Sequence, residues 1–243
     1  MTRDAPPPPA EAQLRYQQLL QRLEANEREF HRLGRSVLRV QEDERRRLAR
    51  DLHDGIGQNL TALKHRLAQI GDALPAELKA LRASLDDAVT LCSDTLDDTR
   101  QLSRLLRPPI LDDLGLEPAL RWLARSLGEA AGIAIAVEIE PMPNLDGELQ
   151  TLLFRITQEA LNNVVKHAGA HSVLVHLVER GGRLQLQIVD DGCGFDPERA
   201  QAVGGIGLGG IRERLQLFDG QLELRSAAGH GTRLRALVPL DSR

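Results

Sequence analysis

The sequence predicts an α+β protein in which an N-terminal helical hairpin is followed by an α/β sandwich. Two observations favour this fold class. Residues 11–70 contain no proline and carry apolar residues at helical spacing, whereas the second half mixes helical segments with alternating ones. The 243 residues are also enough for two compact units.

The first predicted element is one long helix over residues 11–70. Its C-terminal half carries an apolar stripe at steps of four and three: Leu48, Leu52, Ile56, Leu60, Leu63, Leu67 and Ile70. After a break at residues 71–75, a second helix repeats every seven residues at Leu78, Leu85, Cys92, Thr99 and Leu106, with Leu81, Ala88, Thr95 and Leu102 between them. A single hairpin would leave much of this apolar seam, formed by the stripes of the two helices, exposed to water. We therefore expect two copies to form a four-helix bundle.

Pro108 and Pro109 end the second helix and mark a domain boundary near residue 109. Beyond them we predict helices over residues 116–127, 147–167 and near 211–218. Strands are predicted over 133–139, 172–178, 184–189, 222–225 and 232–238, as an antiparallel meander with helices on one face. Residues 1–10, with four consecutive prolines at 6–9, are expected to be a disordered or extended leader. The predicted units are thus residues 1–10, 11–40 (a coiled-coil helix), 41–109 and 110–243.

Composition excludes several classes of function. The net charge is −4 and basic residues alternate with acidic ones, so direct binding to nucleic acid is disfavoured. The two cysteines form neither a metal-ligand pattern nor a disulfide framework, which indicates a reducing, cytoplasmic setting. No apolar run approaches the roughly 20 residues that cross a bilayer, so no membrane span is expected.

The first candidate site lies on the hairpin, at His53 and Asp54. His53 follows Leu52 and so lies about 100° away from the buried stripe, where it reaches solvent. A neutral imidazole can attack phosphorus if a carboxylate accepts the proton from its other nitrogen, and Asp54 is placed to do so. Gln58, one turn beyond Asp54, could orient a water for the reverse hydrolysis. By themselves these residues could equally be solvated positions on a helix.

The second candidate site is on the helix over residues 147–167. Glu159, Asn163, Lys166 and His167 share one side of that helix. Glu and Asn oxygens suit Mg²⁺, and Lys166 supplies a point charge for phosphate oxygens. The alternative is an exposed polar helix face.

The third site follows an apolar strand, where Asp190 could accept a hydrogen bond from an exocyclic amine such as that of adenine. Gly192 and Gly194 would let backbone pass close to a ligand. An Asp and Gly pair is also common wherever a strand runs into a turn.

Two glycine-rich segments complete the set. Residues 204–211 read Gly-Gly-Ile-Gly-Leu-Gly-Gly-Ile and lead into a helix, as a mobile lid over a nucleotide would. Gly229, Gly231 and Thr232 form a last turn, which could also be a simple hairpin connection. The Gly-Lys-Ser or Gly-Lys-Thr of a Walker motif is absent from the sequence.

The three candidate sites and the glycine-rich segments, in this order along the chain, resemble those of the sensor histidine kinases. The resemblance covers about residues 36–240. The resemblance is to the subfamily whose phosphoacceptor box reads Glu-Arg and then Leu-His-Asp, with a Gln four residues after that Asp. It implies that His53 is the phosphoacceptor, Asp54 the kinase base and Gln58 the phosphatase residue.

The same resemblance assigns the nucleotide site. Glu159 and Asn163 correspond to the N box, with Asn163 on Mg²⁺. The remaining matches are to the two glycine boxes and the closing turn: Asp190, Gly192 and Gly194; Gly205, Gly207 and Leu208; Gly229, Gly231 and Thr232. The C-terminal domain would then be an ATP-binding sandwich of the Bergerat (GHKL) type, and the segment over residues 196–204 is a short lid.

The implied activity is ATP-dependent, Mg²⁺-dependent phosphorylation of His53 and transfer to an aspartate of a response regulator with a helix-turn-helix output domain, with phosphatase activity in reverse. The implied assembly is a homodimer through the bundle. No sensor segment is recognised in the sequence, so the regulatory signal comes either through a partner or from the rest of a larger protein. We expect this signal to travel along the helix over residues 11–50 to the bundle that holds His53. Two alternatives stay open: a gyrase-like or chaperone-like ATPase, and a non-catalytic dimer that only binds a regulator.

Overall fold

The computed structural model describes residues 9–75, 77–197 and 206–240. Most of the expected leader lies outside these ranges. Its last two residues are helical, because α1 begins at Pro9, where a helix tolerates proline since the first amide has no helical partner.

The N-terminal half is a helical hairpin. It comprises α1 (Pro9–Asp51), a π-helical segment (Leu52–Gly57), α2 (Gln58–Ala73) and α3 (Lys79–Leu106). The sequence predicted one uninterrupted α-helix where the structure has the π-helical segment. The steps of three and four between apolar residues fit one continuous α-helix, so they did not reveal this segment.

Much of the apolar surface of the hairpin stays open in the single chain. From residue 48 onward, its exposed large apolar side chains are Leu48, Ile56, Leu63, Ile70, Leu78, Leu81, Leu91 and Leu102. Ile56, Leu63 and Ile70 are seven residues apart and therefore lie on one line along the helix. The seam that the sequence predicted to need a partner is thus uncovered within one protomer.

The C-terminal half is a five-stranded sheet with helices. It comprises α4 (Pro109–Asp113), α5 (Leu116–Ala131), β1 (Ala134–Ile139), α6 (Gly147–Asn163), a second π-helical segment (Val164–Ala168), β2 (Ser172–Arg180), β3 (Arg183–Asp190), α7 (Ile206–Gln216), β4 (Gln221–Ser226) and β5 (Thr232–Pro239). The strand order is β1-β2-β3-β5-β4.

One edge of the sheet corrects the expected antiparallel meander. β1 pairs in parallel with β2, whereas the other three pairings are antiparallel. The connection from β1 to β2 contains α6, and a helical crossover of this kind returns the chain in its original direction. β5 also lies between β3 and β4, so the last strand is internal.

The core lies between one face of the sheet and α5, α6 and α7. Along β3 the residues Leu184, Leu186 and Ile188 are buried while those between them are partly exposed. Helix α6 lies deepest, and Asp146 caps its start by accepting a hydrogen bond from the Leu149 amide at 2.8 Å. This burial fixes the helix that carries the second candidate site.

Helix α1 also contacts the C-terminal domain. Leu38 packs against the edge of the core, and a Cβ on Gly34 would collide with the Leu217 side chain. The Arg35 Nε atom donates to the Leu217 carbonyl at 2.6 Å. The hairpin and the sandwich are therefore joined by side-chain contacts as well as by the chain. Among the described helices, none has the length and apolarity needed to span a membrane.

Truncating the core should destabilise the C-terminal domain strongly. Leu153 is fully buried in α6, so Leu153→Ala is expected to lower the free energy of unfolding by about 2–5 kcal/mol. Leu114→Ala removes the same atoms from an exposed position and should cost under about 1 kcal/mol. Denaturant titration of both variants measures the difference, and equal losses would contradict the assigned core.

Candidate nucleotide site and phosphoacceptor helix

A cavity of about 370 Å³ opens at one end of the sandwich. It lies between α6, the second π-helical segment, β3, β5 and the start of α7. Seven of the residues predicted for the nucleotide site line it: Asn163, His167, Asp190, Gly194, Gly207, Leu208 and Thr232. Such a volume suits a small molecule.

Helix α6 brings Glu159 and Asn163 to the start of α7. A Cβ on Gly207 would collide with the Glu159 Oε1 atom and come within 3.2 Å of the Asn163 Nδ2 atom. Glycine at 207 therefore permits this close approach. Lys166 is exposed and is not part of the cavity lining.

Asp190 ends β3 with its side chain 7 % exposed. The Gly192 amide donates to its Oδ1 atom at 2.9 Å, which is the one hydrogen bond of this carboxylate within the described part of the chain. Ile188, Leu224 and Leu234 form apolar walls beside it. The carboxylate therefore offers an acceptor in an otherwise greasy cavity, an arrangement that suits an aromatic base bearing an amine.

The neighbouring Asp191 has a structural role and binds the start of β2. Its Oδ1 atom accepts from the amides of His171 and Ser172 at 2.8 and 3.0 Å, and its Oδ2 atom accepts from the Ser172 hydroxyl at 2.8 Å. Hydrogen bonds from the Ser172 amide and hydroxyl, then from His171, lower the pKa of Asp191 to about 2. Asp191 thus ties the end of β3 to the start of β2.

Glycines shape the turn below Asp190. A Cβ on Gly192 would lie 2.7 Å from the Ala168 Cβ atom, so the two segments touch only because residue 192 has no side chain. Gly194 and Gly231 have positive φ angles of 60° and 67°. The Ser226 hydroxyl donates to the Gly231 carbonyl at 2.9 Å and accepts from the Phe195 amide at 2.9 Å, which joins the two turns.

The predicted phosphoacceptor lies on the hairpin, away from this cavity. His53, Asp54 and Gln58 are all exposed, and the first two belong to the first π-helical segment. Gly57 at its end is buried, with a hypothetical Cβ 3.9 Å from the Leu96 side chain. The imidazole is therefore presented to solvent on a segment held against α3.

The structure brings most of the predicted nucleotide residues together but not all of them. Gly192 supports the turn without lining the cavity, and Lys166 is exposed and also outside the lining. Gly205 lies outside the described residues. Gly229 has a φ of 78° and donates to the Cys193 carbonyl at 2.6 Å, so it shapes the turn.

Two family models match separate parts of the chain. Residues 44–111 match a family described as "Histidine kinase", and residues 148–242 match one described as "Histidine kinase-, DNA gyrase B-, and HSP90-like ATPase". The Sensor histidine kinase MctS of Rhizobium johnstonii is 37% identical over 210 residues, covering 85% of this chain and 45% of that protein. The chain belongs to the sensor histidine kinases.

A second relative agrees. The Signal transduction histidine-protein kinase/phosphatase UhpB of Salmonella typhimurium is 37% identical over 227 residues, covering 93% of this chain and 44% of that protein. This histidine kinase chain therefore spans less than half the length of the two relatives. Among solved structures, the histidine kinase domain of the Erythrobacter litoralis EL346 blue-light activated histidine kinase is 20% identical, with a TM-score of 0.50, covering 75% of this chain and 94% of that one. That likeness supports the fold.

Sequence reasoning missed three contributors to the site of this kinase. Ser226 bridges the two turns, Asp191 anchors β3, and Phe195 joins the cavity wall. Ser226 gave no signal, because its partners come from segments that are distant in sequence. Asp191 was visible beside Asp190, but only the pairing of β2 with β3 shows that its carboxylate binds the start of β2.

Asp191→Asn should weaken the fold of the ATP-binding domain in a pH-dependent way. The pKa of Asp191 is lower in the folded state than its ordinary 3.8, so its stabilisation is present above 3.8 and is lost as the pH falls through about 2. The difference in unfolding free energy between wild type and variant should be constant from pH 7 to about 5 and shrink below that.

Glu138→Gln is the matched control, because the Glu138 side chain is exposed and makes no hydrogen bond to the described residues. Urea titrations across this pH range measure both differences. A pH-independent difference for Asp191→Asn would contradict the anchoring role.

Proposed function

We propose that this chain is the catalytic core of a sensor histidine kinase, which binds ATP in the 370 Å³ cavity and phosphorylates His53. The observation that carries the proposal is the convergence of Asn163, Asp190 and Gly207 on one cavity, in a chain that also presents an exposed imidazole on a helical hairpin. The two family matches fall on these same two units.

The cavity residues divide into a base end and a phosphate end. Asp190 accepts the hydrogen bond of the adenine amine, and the apolar walls around it take the face of the ring. At the other end, Asn163 and Glu159 would hold Mg²⁺ and His167 would contact the phosphates, while Lys166, which lies outside the cavity lining, would reach them from the surface. Bound Mg²⁺ would neutralise charge on the phosphate oxygens. The described residues offer no cluster of three or more acidic, His or Cys ligands, which fits an ion completed by phosphate and water.

Phosphoryl transfer needs one bond made and one broken. A ring nitrogen of His53 attacks the terminal phosphorus, the new P–N bond forms, and the P–O bond to the leaving ADP breaks. Asp54 accepts the proton from the other ring nitrogen. In the reverse direction Gln58 orients a water toward a phosphorylated regulator.

The partners follow from the hairpin. A second copy covers the stripe of Ile56, Leu63 and Ile70, and an aspartate of a response regulator takes the phosphoryl group from His53. We expect a regulator with a helix-turn-helix output domain. We place the chain in the cytoplasm, which suits its free Cys92 and Cys193, and divide it functionally at residue 109.

Labelling with ATP separates this proposal from its rivals. Wild type with Mg²⁺ and radiolabelled ATP should acquire an acid-labile, base-stable phosphate. His53→Gln should lose the label while its affinity for ATP stays within about twofold, because His53 lies outside the cavity. Asp190→Asn should lose binding by at least about tenfold, since it replaces half of a buried acceptor with a donor.

Filter assays and calorimetry measure the two effects. A label that survives His53→Gln would remove that residue from the role. Turnover of ATP with no phosphoprotein would favour a gyrase-like or chaperone-like ATPase, and the absence of any ATP binding would favour a scaffold.

A further inference from the structure

A carboxylate on α1 joins three parts of the molecule. The Glu42 Oε1 atom accepts from Arg107 Nη1 and from Arg155 Nη2, both at 2.5 Å, and its Oε2 atom accepts from Arg155 Nε at 3.0 Å. Arg107 lies in the link between hairpin and sandwich, and Arg155 lies on α6. We call Glu42, Arg107 and Arg155 the clamp.

The clamp is buried, and beside it the Asp112 carboxylate accepts hydrogen bonds from Arg107 Nη2 at 2.6 Å and from Arg107 Nε at 3.3 Å. Both arginines are 6 % exposed. Burial by itself raises the pKa of Glu42, but the hydrogen bonds from Arg155 and Arg107 outweigh it and hold that pKa below its ordinary value. Burial lowers the pKa of Arg155, and the nearby charges of Arg45 and Arg107 lower it further against the pull of Glu42. Glu42 is therefore the acidic partner that the two buried guanidinium groups share, whereas Asp112 pairs with Arg107 but not with Arg155.

Arg155 also reaches the hairpin through its other contacts. Its Nη2 atom donates to the Leu106 carbonyl at 2.6 Å, and Gln158, one turn further along α6, donates to the Leu105 carbonyl at 2.8 Å. These carbonyls belong to the last turn of α3, where no helical amide is left to bind them. One turn beyond Gln158, the same rigid helix carries Asn163 into the nucleotide cavity. Arg155 thus fixes the nucleotide helix to the hairpin.

Helix α1 has two separate stripes. Tyr16, Leu23, Phe30 and Val37 are exposed and seven residues apart, as expected for a coiled coil with a second copy. Shifted by about 100°, the partly buried stripe of His31, Gly34, Leu38 and Glu42 contacts the ATP-binding domain. A rotation of α1 about its own axis, driven by the coiled coil, would therefore move Glu42 relative to Arg155.

The clamped arrangement keeps the cavity from His53 of the same chain. Glu42 lies eleven positions before His53, which is about 16 Å along a helix. No residue of the segment Leu52–Gly57 is among the described residues that line the nucleotide cavity. In-line transfer requires the reacting atoms to approach within about 3–3.5 Å. Transfer to His53 of the same chain therefore requires the domain to move relative to α1.

We infer that Glu42, acting through Arg107 and Arg155, is a positioning residue that restrains the ATP-binding domain on α1 and must release it before His53 is phosphorylated. The inference rests on the proposed function. The contact is suited to release, because a cavity of about 660 Å³ remains between α1 and the domain. Charge pairs hold such an open interface more than apolar packing does.

Glu42→Gln tests the inference without changing the shape of the side chain. Losing the carboxylate leaves the buried Arg155 guanidinium without an acidic partner among the described residues, while Arg107 keeps Asp112, so the domain should detach. At saturating ATP the rate of His53 phosphorylation should rise roughly tenfold, because the released population grows. The Kd for ADP should stay within about twofold, since no clamp residue lines the nucleotide cavity.

Asp43→Asn is the matched control, because it removes the same charge from the neighbouring, exposed position and should leave the rate unchanged. An unchanged or lower rate for Glu42→Gln would overturn the inference. If Glu42→Gln does not fold, Glu148→Gln is the second variant, because it removes the exposed ion pair with Arg39 at the same contact. It should raise the rate of His53 phosphorylation by a smaller factor, and an unchanged rate would also overturn the inference.

A readout without catalysis separates the inference from the proposed function. Small-angle X-ray scattering should give a larger radius of gyration for Glu42→Gln than for wild type, whether or not His53 is ever labelled. Equal radii would overturn the clamp. A wild-type protein that binds ATP and never labels His53 would overturn the proposed function alone.

Discussion

Helix α6 is the element on which both halves of the molecule depend. Its buried side forms the centre of the sandwich, its C-terminal end offers Asn163 to the nucleotide cavity, and Arg155 at its middle meets Glu42 of α1. A helix is stiff over this length, so whatever holds Arg155 also sets where Asn163 lies. Nucleotide binding and hairpin contact are therefore geometrically linked without any need for a change in fold.

The two π-helical segments coincide with the candidate chemistry. One contains His53 and Asp54, and the other contains Lys166 and His167. A π-helical turn loosens the regular ladder of hydrogen bonds and is less stable than α-helix, so it is kept where a side chain must be presented in a particular way. In this protein the first segment presents the imidazole, and the second brings the end of α6 round to the turn at Ala168.

Local signals in the sequence were enough to predict the hairpin and the sandwich, and together with the family resemblance they predicted seven of the residues that line the cavity. The heptad spacing at Leu78, Leu85 and Cys92 predicts the second hairpin helix, and the block from Glu159 to His167 predicts a polar helix face. Contacts between distant segments could not be predicted in this way. Arg155 and Glu42 are 113 positions apart, and neither residue alone suggests the other. The parallel pairing of β1 with β2 was missed for the same reason.

The different roles of Asp190 and Asp191 show how far the site could be predicted from the sequence alone. Both follow the same strand, and the alternation of side chains puts them on opposite faces. Asp190 was correctly placed at the end of an apolar strand, but the anchoring role of Asp191 depends on the amides of His171 and Ser172, which only the fold brings near.

A reversible lock tests the central claim most directly, namely that the ATP-binding domain must leave α1 before transfer. With Cys193 replaced by Ala, Gly34→Cys and Leu217→Cys would place two thiols where the helix and the domain touch. The oxidised protein should bind ATP but leave His53 unlabelled, and reduction should restore labelling. Equal labelling of the oxidised and reduced forms would contradict the account.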